Sequence, residues 1–147
     1  MQERNLTIYF TSDLHSYIYP TDYRSQEEKD LGLFKCASQF QKDGNTLVID
    51  GGDLLQGSPL GAFCHDTVCS AAQFAQIMNR CGYDYVTLGN HDFNYGMPYL
   101  DSYLDALRAR CVCENVRWAG GGVRFPARVH VLENGLRIGI VGIVTDY

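Results

Sequence analysis

Three short clusters of acidic, amide and imidazole side chains most constrain how this chain can fold. They are Asp13-Leu14-His15, Gly52-Asp53 and Gly89-Asn90-His91-Asp92, and each directly follows a segment with the pattern of a β-strand. Open α/β sheets place their chemistry at the carboxyl ends of strands, because several strands can direct side chains into one crevice there. We therefore expect the three clusters to meet at one edge of a sheet.

Apolar periodicity predicts strands that alternate with helices. Strands are predicted at 6–11, 46–49, 83–88 and 111–114, followed by a hairpin whose strands, 128–132 and 136–144, are joined through Asn134-Gly135. Helices are predicted over 28–42 and 66–80, with Asp66 as the cap of the second, and from Pro98 onward. Residues 54–63 and the glycine-rich segment 117–124 are predicted to be loops. The fold class is therefore α/β, with helices covering a mainly parallel sheet and a C-terminal β-hairpin.

Composition narrows the classes of partner. The 147 residues suffice for one domain with a core, and the net charge of −5 without any block of Lys or Arg argues against a nucleic acid polymer. A small phosphate-bearing substrate stays compatible, because bound metal ions can supply positive charge locally. The six cysteines form no CxxC pair, which favours free thiols in a reducing compartment over disulfides or a zinc site.

The amino-terminal segment has no apolar h-region, so we expect neither a membrane span nor a secretory precursor. The expected location is the cytoplasm. A secreted or cell-envelope location would apply if a signal peptide had been removed.

The first two clusters have the chemistry of a metal site. Asp13 and His15 lie two residues apart at a strand end, where their side chains can converge on one ion. Asp53 follows two glycines that allow a sharp turn, and its two oxygens could bridge two cations. Taken singly, each has a structural alternative: a loop cap for Asp13, a surface ring for His15 and a plain turn for Asp53. Oxygen ligands mixed with imidazole suit Mn, Fe, Zn or Mg.

The third cluster is more specific. The Asn90 carbonyl is a neutral oxygen ligand, and His91, directly after it, need not face the same ion. His91 is therefore free to act on a substrate, either as a proton donor to a leaving alkoxide or as a cation beside a phosphoryl group. The alternative is a helix-capping Asn followed by a histidine without a role.

Taken in order, the clusters resemble the early motifs of the calcineurin-like metallophosphoesterases, which are Asp-x-His, Gly-Asp and Gly-Asn-His-Asp/Glu. The resemblance covers nearly the whole chain and is closest to the nucleotidase branch, on segments 11–15, 19–23, 52–60 and 87–96. Within that branch the chain looks most like the bacterial 2',3'-cyclic-nucleotide 2'-phosphodiesterase/3'-nucleotidases. That assignment depends on Gln-Gly-Ser-Pro-Leu at 56–60 and Phe-Asn-Tyr-Gly at 93–96.

The resemblance implies a role for each cluster. Asp13, His15 and Asp53 would bind a first divalent metal, Asp53 and Asn90 a second, and His91 would be the catalytic histidine. The ions would be Mn, Fe, Zn, Mg or Co, and the substrate a nucleotide or another small phosphoester. The implied fold is the first half of an αββα sandwich.

One position departs from the pattern of the classical 5'-nucleotidases. They carry an Asp where this chain has Asn94, and that Asp partners the catalytic histidine. A neutral amide cannot offer a negative charge to His91, so the partner of His91 stays open, with Asp92 as a candidate. The 5'-nucleotidases, other metallophosphoesterases and a non-catalytic metal-binding or assembly fragment remain alternatives.

The later motifs of the family, a further ligand histidine and Gly-His-x-His, do not occur in these residues. The remaining histidines, His65 and His130, lie in no such context and are interpreted as incidental. Residues 1–147 are therefore expected to be the N-terminal part of a catalytic domain, without the substrate domain. We expect partial or absent metal occupancy, little turnover, and an unpaired sheet edge that favours a homodimer.

Overall fold

Four parallel strands form the centre of the molecule. The computed structural model describes residues 3–22, 24–25 and 27–145. The strands are Thr7–Thr11 (β1), Thr46–Asp50 (β2), Tyr85–Val86 (β3) and Arg110–Cys111 (β4), and they lie side by side in that order. Their ends are aligned, because Thr11 pairs with Asp50, Asp50 with Val86, and Val86 with Cys111. The predicted parallel sheet is confirmed, and all carboxyl ends lie at one edge.

In the part of the chain that the structure describes, four short helices connect the strands: Leu33–Ala37 (α1), Pro59–Val68 (α2), Ala72–Cys81 (α3) and Met97–Ala106 (α4). Pro98 lies in the first turn of α4, as predicted. A backbone N–H in the first turn of a helix has no acceptor within the helix, so proline, which lacks one, is tolerated there. Within the described residues the longest helices have 10 residues, and none is long and apolar enough to cross a membrane.

The predicted helix over 28–42 is wrong at both ends. Its first residues are held to the preceding loop, where the N–H of Lys29 donates to Pro20 O at 2.8 Å. Gly32 has φ 81° and passes so close to Tyr19 that an added Cβ would lie 2.3 Å from the Tyr19 carbonyl oxygen. After Ala37 the chain tightens into three-residue turns, with the N–H of Phe40 donating to Ala37 O at 3.1 Å. Only one helical turn therefore forms.

The predicted helix over 66–80 and the predicted loop over 54–63 are also corrected. The hydroxyl of Ser58 accepts the N–H of Gly61 at 3.1 Å, so α2 begins at Pro59 and Asp66 lies inside it instead of capping a helix. Cys69 adopts the left-handed conformation, φ 54°, which ends α2. The N–H of Ala71 donates to Ser102 Oγ on α4 at 2.8 Å, and α3 then begins. The cap at Ser58 and the hydrogen bond from Ala71 to Ser102 therefore decide where α2 and α3 begin, although the apolar residues of 66–80 recur at helical spacing.

Two antiparallel pairs follow the sheet: Cys113–Arg117 (β5) with Val123–Phe125 (β6), and Arg128–Val131 (β7) with Arg137–Ile140 (β8). The hairpin through Asn134-Gly135 is confirmed. The single strand predicted over 111–114 is two strands, because Val112 N–H donates to Val86 O whereas Glu114 N–H donates to Gly142 O. The predicted loop over 117–124 is a tight turn between β5 and β6, closed by the N–H of Trp118 donating to Gly122 O at 3.1 Å.

The two faces of the parallel sheet bury different partners. On one face, Val48 and Val86 pack against the helices through residues such as Phe74, Met78 and Leu100. On the other, Leu47 of β2, Tyr85 of β3 and Val112, which directly follows β4, pack with Leu132 and Ile140 from the second hairpin and its turn. Successive buried residues of β2 and β3 therefore face opposite layers, Leu47 and Tyr85 the hairpin and Val48 and Val86 the helices.

Part of the hairpin face is uncovered. Ile8 and Phe10 of the edge strand β1 are 49% and 64% exposed, and Val141 and Ile143 after β8 are 67% and 71% exposed. Phe10, Val141 and Ile143 lie along one cavity of about 280 Å³. We call Ile8, Phe10, Val141 and Ile143 the apolar edge.

The six cysteines are free thiols, as predicted, but they are not all buried. Cys113 is buried, whereas Cys36 and Cys69 are exposed. Cys36 lies within the short helix α1 and is exposed there.

Candidate metal centre

The carboxyl ends of β1 and β2 bring three of the predicted ligands together. One ligand atom from each of Asp13, His15 and Asp53 lies within 4.8 Å of the others. The loops that carry them are joined by backbone hydrogen bonds, from Asp13 N–H to Gly52 O at 2.9 Å and from His15 N–H to Asp53 O at 2.8 Å. Two carboxylates and one imidazole at this separation form a donor set that suits a divalent cation.

These side chains converge because the backbone turns sharply at each of them, and not because alternate side chains along a strand point the same way. Asp13, His15 and Asp53 have φ values of 55°, 45° and 58°, in the left-handed region that residues other than glycine seldom adopt. Each such residue costs on the order of 1 kcal/mol unless its surroundings compensate. Three strained residues in one site indicate that the local backbone is shaped for its side chains at some expense of stability.

His15 is oriented for coordination through its outer nitrogen. Its Nδ1 lies 2.7 Å from the carbonyl oxygen of Gln56, and because a carbonyl only accepts, Nδ1 carries the proton. Nε2 is thereby left with a free lone pair, the usual arrangement of a metal-binding histidine. Gly57 lets the chain pass close to this ring, since a Cβ there would lie 2.7 Å from His15 Cβ.

Asp53 joins the second and third clusters. Its Oδ1 accepts the backbone N–H of His91 at 2.7 Å, and its Oδ2 has no hydrogen bond within the described part of the chain. The loops approach so closely that a Cβ on Gly89 would lie 2.1 Å from Asp53 Oδ1, and one on Gly52 2.3 Å from Gly89 N. Glycine is required at both positions, as the sequence indicated for Gly52.

The third cluster forms one turn of 3₁₀ helix, Asn90–Phe93. The His91 ring lies edge-on to the His15 ring, with centroids 5.2 Å apart, so the predicted catalytic histidine adjoins the three predicted ligands. Asn90 begins the turn and lines a cavity of about 350 Å³ together with Phe93 and Asn94.

The structure also identifies the partner of His91. Asn94 Nδ2 lies 2.9 Å from His91 Nδ1, whereas the Asp92 carboxylate points away from the ring into the protein.

Asp92 is 3% exposed and accepts four backbone N–H groups, those of Asp53 and Gly89 on Oδ2 and those of Leu54 and Leu55 on Oδ1, at 2.9–3.0 Å. The sequence pattern did not predict this role. Its only signal is an acidic residue at the third position of a helical turn.

Negative charge is concentrated at this edge. Asp50, buried below the site, accepts the hydroxyl of Thr11 at 2.5 Å and the N–H of Gly52 at 3.0 Å. Burial raises the pKa of Asp50 to about 7, and the nearby carboxylates of Asp92 and Asp13 add to the rise. Burial also raises the pKa of Asp92, against the effect of the N–H donors of Gly89, Leu55 and Asp53. A cation at this edge would relieve the repulsion between these groups.

The two remaining histidines lie apart from the ligand cluster. His65 stacks on Tyr95, with ring centroids 4.0 Å apart, and its Nδ1 is 2.8 Å from Asp66 Oδ1. His130 Nδ1 lies 3.1 Å from the hydroxyl of Tyr85. Through this stacking, His65 contacts Tyr95, the residue that directly follows Asn94.

Comparison with known proteins assigns this arrangement to a family. The family described as "Calcineurin-like phosphoesterase" matches residues 6–143. The trifunctional nucleotide phosphoesterase protein YfkN of Bacillus subtilis is 35% identical over 95% of this chain, which is 11% of its own length. A 2',3'-cyclic-nucleotide 2'-phosphodiesterase/3'-nucleotidase of Yersinia enterocolitica is 34% identical over 76% of this chain, and rat 5'-nucleotidase 31% over 93%.

The chain spans 11–26% of the length of these curated relatives. The crystal structure of YfkN superposes with a TM-score of 0.77 and 34% identity, over 95% of this chain and 48% of that one. The match in fold extends over the parallel sheet, its helices and the antiparallel strands. The chain therefore belongs to the calcineurin-like phosphoesterase family.

Proposed function

We propose that this chain is the N-terminal part of the catalytic domain of a metal-dependent phosphoesterase that hydrolyses nucleotides, of the 2',3'-cyclic-nucleotide 2'-phosphodiesterase/3'-nucleotidase type. One observation carries the proposal: the imidazole of His91 adjoins His15 within a cluster in which Asp13, His15 and Asp53 can hold one cation. The names of the B. subtilis and Y. enterocolitica relatives support the substrate class.

Asp13, His15 and Asp53 would hold the first divalent ion, and Asp53 with Asn90 the second. Bound divalent cations supply Lewis acidity toward a phosphoryl group. The second position would have two protein ligands within these residues, so we expect weak binding there and little turnover by residues 1–147 alone. Elemental analysis of Mn, Fe and Zn tests this expectation, and two tightly held equivalents would contradict it.

His91 would act on the leaving oxygen. Because the Asn94 amide nitrogen donates to Nδ1, the N–H of the neutral ring lies on Nε2, where it would donate a hydrogen bond to a phosphoryl oxygen or to the departing ribose oxygen. Asp53 fixes the backbone of the same residue through Oδ1, so both the ring and the main chain of His91 are positioned.

The decisive experiment uses the full-length protein with Mn²⁺ and compares 2',3'-cyclic AMP, 3'-AMP and 5'-AMP. We expect the first two to be hydrolysed preferentially, and His91→Ala to lower kcat by about 100-fold or more. His130→Ala is the matched control, because it removes a histidine that contacts Tyr85 and not the cluster. Equal rates for wild type and His91→Ala on bis(p-nitrophenyl) phosphate would favour a non-catalytic metal-binding fragment.

A 5'-nucleotidase is the second candidate, favoured by the match to rat 5'-nucleotidase over 93% of the chain. Asn94 in place of the acidic partner argues against it. Preferential hydrolysis of 5'-AMP in the same assay would establish this candidate instead.

We also propose that residues 1–147 form a homodimer when studied alone. The apolar edge exposes four large side chains, two of them on the edge strand β1. Burying such a surface in a symmetric contact removes it from water. Light scattering tests this proposal, and a monomer at high concentration would contradict it.

A further inference from the structure

We propose that Asp92 is a positioning residue: its carboxylate holds the Asp53 loop against the Asn90-His91 turn and thereby sets the affinity of the site for divalent cations. The inference rests on the proposed metal-dependent function, but it concerns a residue that is neither a ligand nor a contact of the substrate.

The hydrogen bonds of Asp92 connect the two loops directly. Three of its four donors, the N–H groups of Asp53, Leu54 and Leu55, belong to the loop after β2, and the fourth, that of Gly89, belongs to its own turn. Each carboxylate oxygen accepts two of them, so both are fully used. A carboxylate with this number of donors is held in one orientation, and it holds its donors equally firmly.

The same loops are joined in the opposite direction by Asp53. Its Oδ1 accepts the N–H of His91, while its own N–H donates to Asp92 Oδ2. Each loop thus contributes one carboxylate that binds the backbone of the other. Because Gly52 and Gly89 bring the two backbones into contact, the loops can separate but cannot come closer.

This geometry gives Asp92 an influence on the ligands that a general contribution to stability would not have. One carboxylate oxygen of Asp53 lies within 4.8 Å of the ligand atoms of Asp13 and His15, and it keeps that place only while the backbone of residue 53 keeps its position. Ligand sites tolerate displacements of about 0.5 Å, and the loss of outer contacts typically lowers metal affinity by about 10–100-fold.

The test measures Mn²⁺ binding by residues 1–147 with electron paramagnetic resonance, for the wild type and Asp92→Asn. The amide introduced by this substitution would place an NH₂ group against two of the backbone donors, so we expect the Kd for Mn²⁺ to rise about 10–100-fold. Asp92→Glu retains both acceptor oxygens and should recover most of the lost affinity.

Asp84→Asn is the matched control for stability. Asp84 Oδ2 also accepts a backbone N–H, that of Val48 at 2.9 Å, but this contact lies in the interior of β2 and away from the cluster. We expect Asp84→Asn to weaken the fold while the Kd for Mn²⁺ stays within about twofold. A folded Asp92→Asn variant with wild-type Kd would overturn the positioning role.

Hydrogen exchange of the wild type keeps the inference testable if Asp92→Asn does not fold. Linkage is reciprocal, so bound Mn²⁺ should protect the amides of Asp53, Leu54 and Leu55 more than that of Val48. Binding without this extra protection would overturn the positioning role alone. A wild type that binds no Mn²⁺ would contradict the proposed metal site, and the positioning role with it.

Discussion

The amide nitrogen of Asn94 lies 2.9 Å from Nδ1 of His91, so a neutral side chain orients the candidate catalytic histidine. Asp92, the acidic alternative, is directed into the protein by four backbone donors and cannot reach the ring. The histidine therefore receives orientation and a defined tautomer from its partner, and no compensating negative charge.

This contact predicts a selective loss of turnover in Asn94→Ala. Without the donor the ring is free to rotate, so in the full-length protein we expect kcat to fall about 10-fold and KM to change little. The loss should be larger for 3'-AMP than for p-nitrophenyl phosphate, because a good leaving group needs less stabilisation by a hydrogen-bond donor. Asn79→Ala, which removes contacts to Ala106 O and Arg108 N–H, should lower stability with kcat unchanged. Equal losses of kcat in both variants would contradict the role of Asn94.

Asp50 predicts how stability changes with pH in the metal-free chain. Its pKa is raised to about 7 by burial, whereas an unfolded Asp titrates near 4. The folded state therefore keeps a proton that the unfolded state releases, and the free energy of unfolding falls as pH rises from about 4 to about 7. Asp50→Asn removes this pH-dependent contribution to the free energy of unfolding.

We expect Asp50→Asn to be more stable than the wild type at pH 8, by about 4 kcal/mol at most. Below about pH 3 the advantage should vanish, because Asp50 is then protonated in both states. Urea unfolding at several pH values measures the difference. Parallel curves for the two proteins would show that Asp50 is ionised in the folded state at neutral pH.

The strained backbone of the site predicts an opposition between stability and metal binding. Asp13 is exposed with φ 55°, and its one described side-chain contact is with the neighbouring Ser12 hydroxyl. Asp13→Gly should relieve the backbone strain and Asp13→Ala should not. The free energy of unfolding of the glycine variant should therefore exceed that of the alanine variant by about 1 kcal/mol. Both should lose Mn²⁺ binding. If urea unfolding gave the same stability for Asp13→Gly and Asp13→Ala, the left-handed backbone would not be strained at this position.

Sequence patterns predicted which side chains come together, because topology alone brings strand ends to one edge of the sheet. Asp13, His15 and Asp53 could be grouped from their position after predicted strands, and the parallel sheet confirms that reasoning. The contacts of Asn94 and Asp92 could not be predicted, because each depends on which way a side chain rotates within one turn. The division of the 66–80 segment at Cys69 escaped for a similar reason: it depends on a hydrogen bond from Ala71 to Ser102, 31 residues away.

The contact between the two ligand loops predicts a severe effect of Gly89→Ala. The added methyl group would lie 2.1 Å from Asp53 Oδ1 and 2.7 Å from Asp53 N, so the backbone of the Asp53 loop must move. We expect the Kd for Mn²⁺ to rise at least about 10-fold, and the free energy of unfolding to fall by about 1–3 kcal/mol. Gly139→Ala is the matched control, since no atom lies within 4 Å of its added Cβ. If Gly89→Ala bound Mn²⁺ as Gly139→Ala does, the close approach of the two loops would not govern the geometry of the ligands.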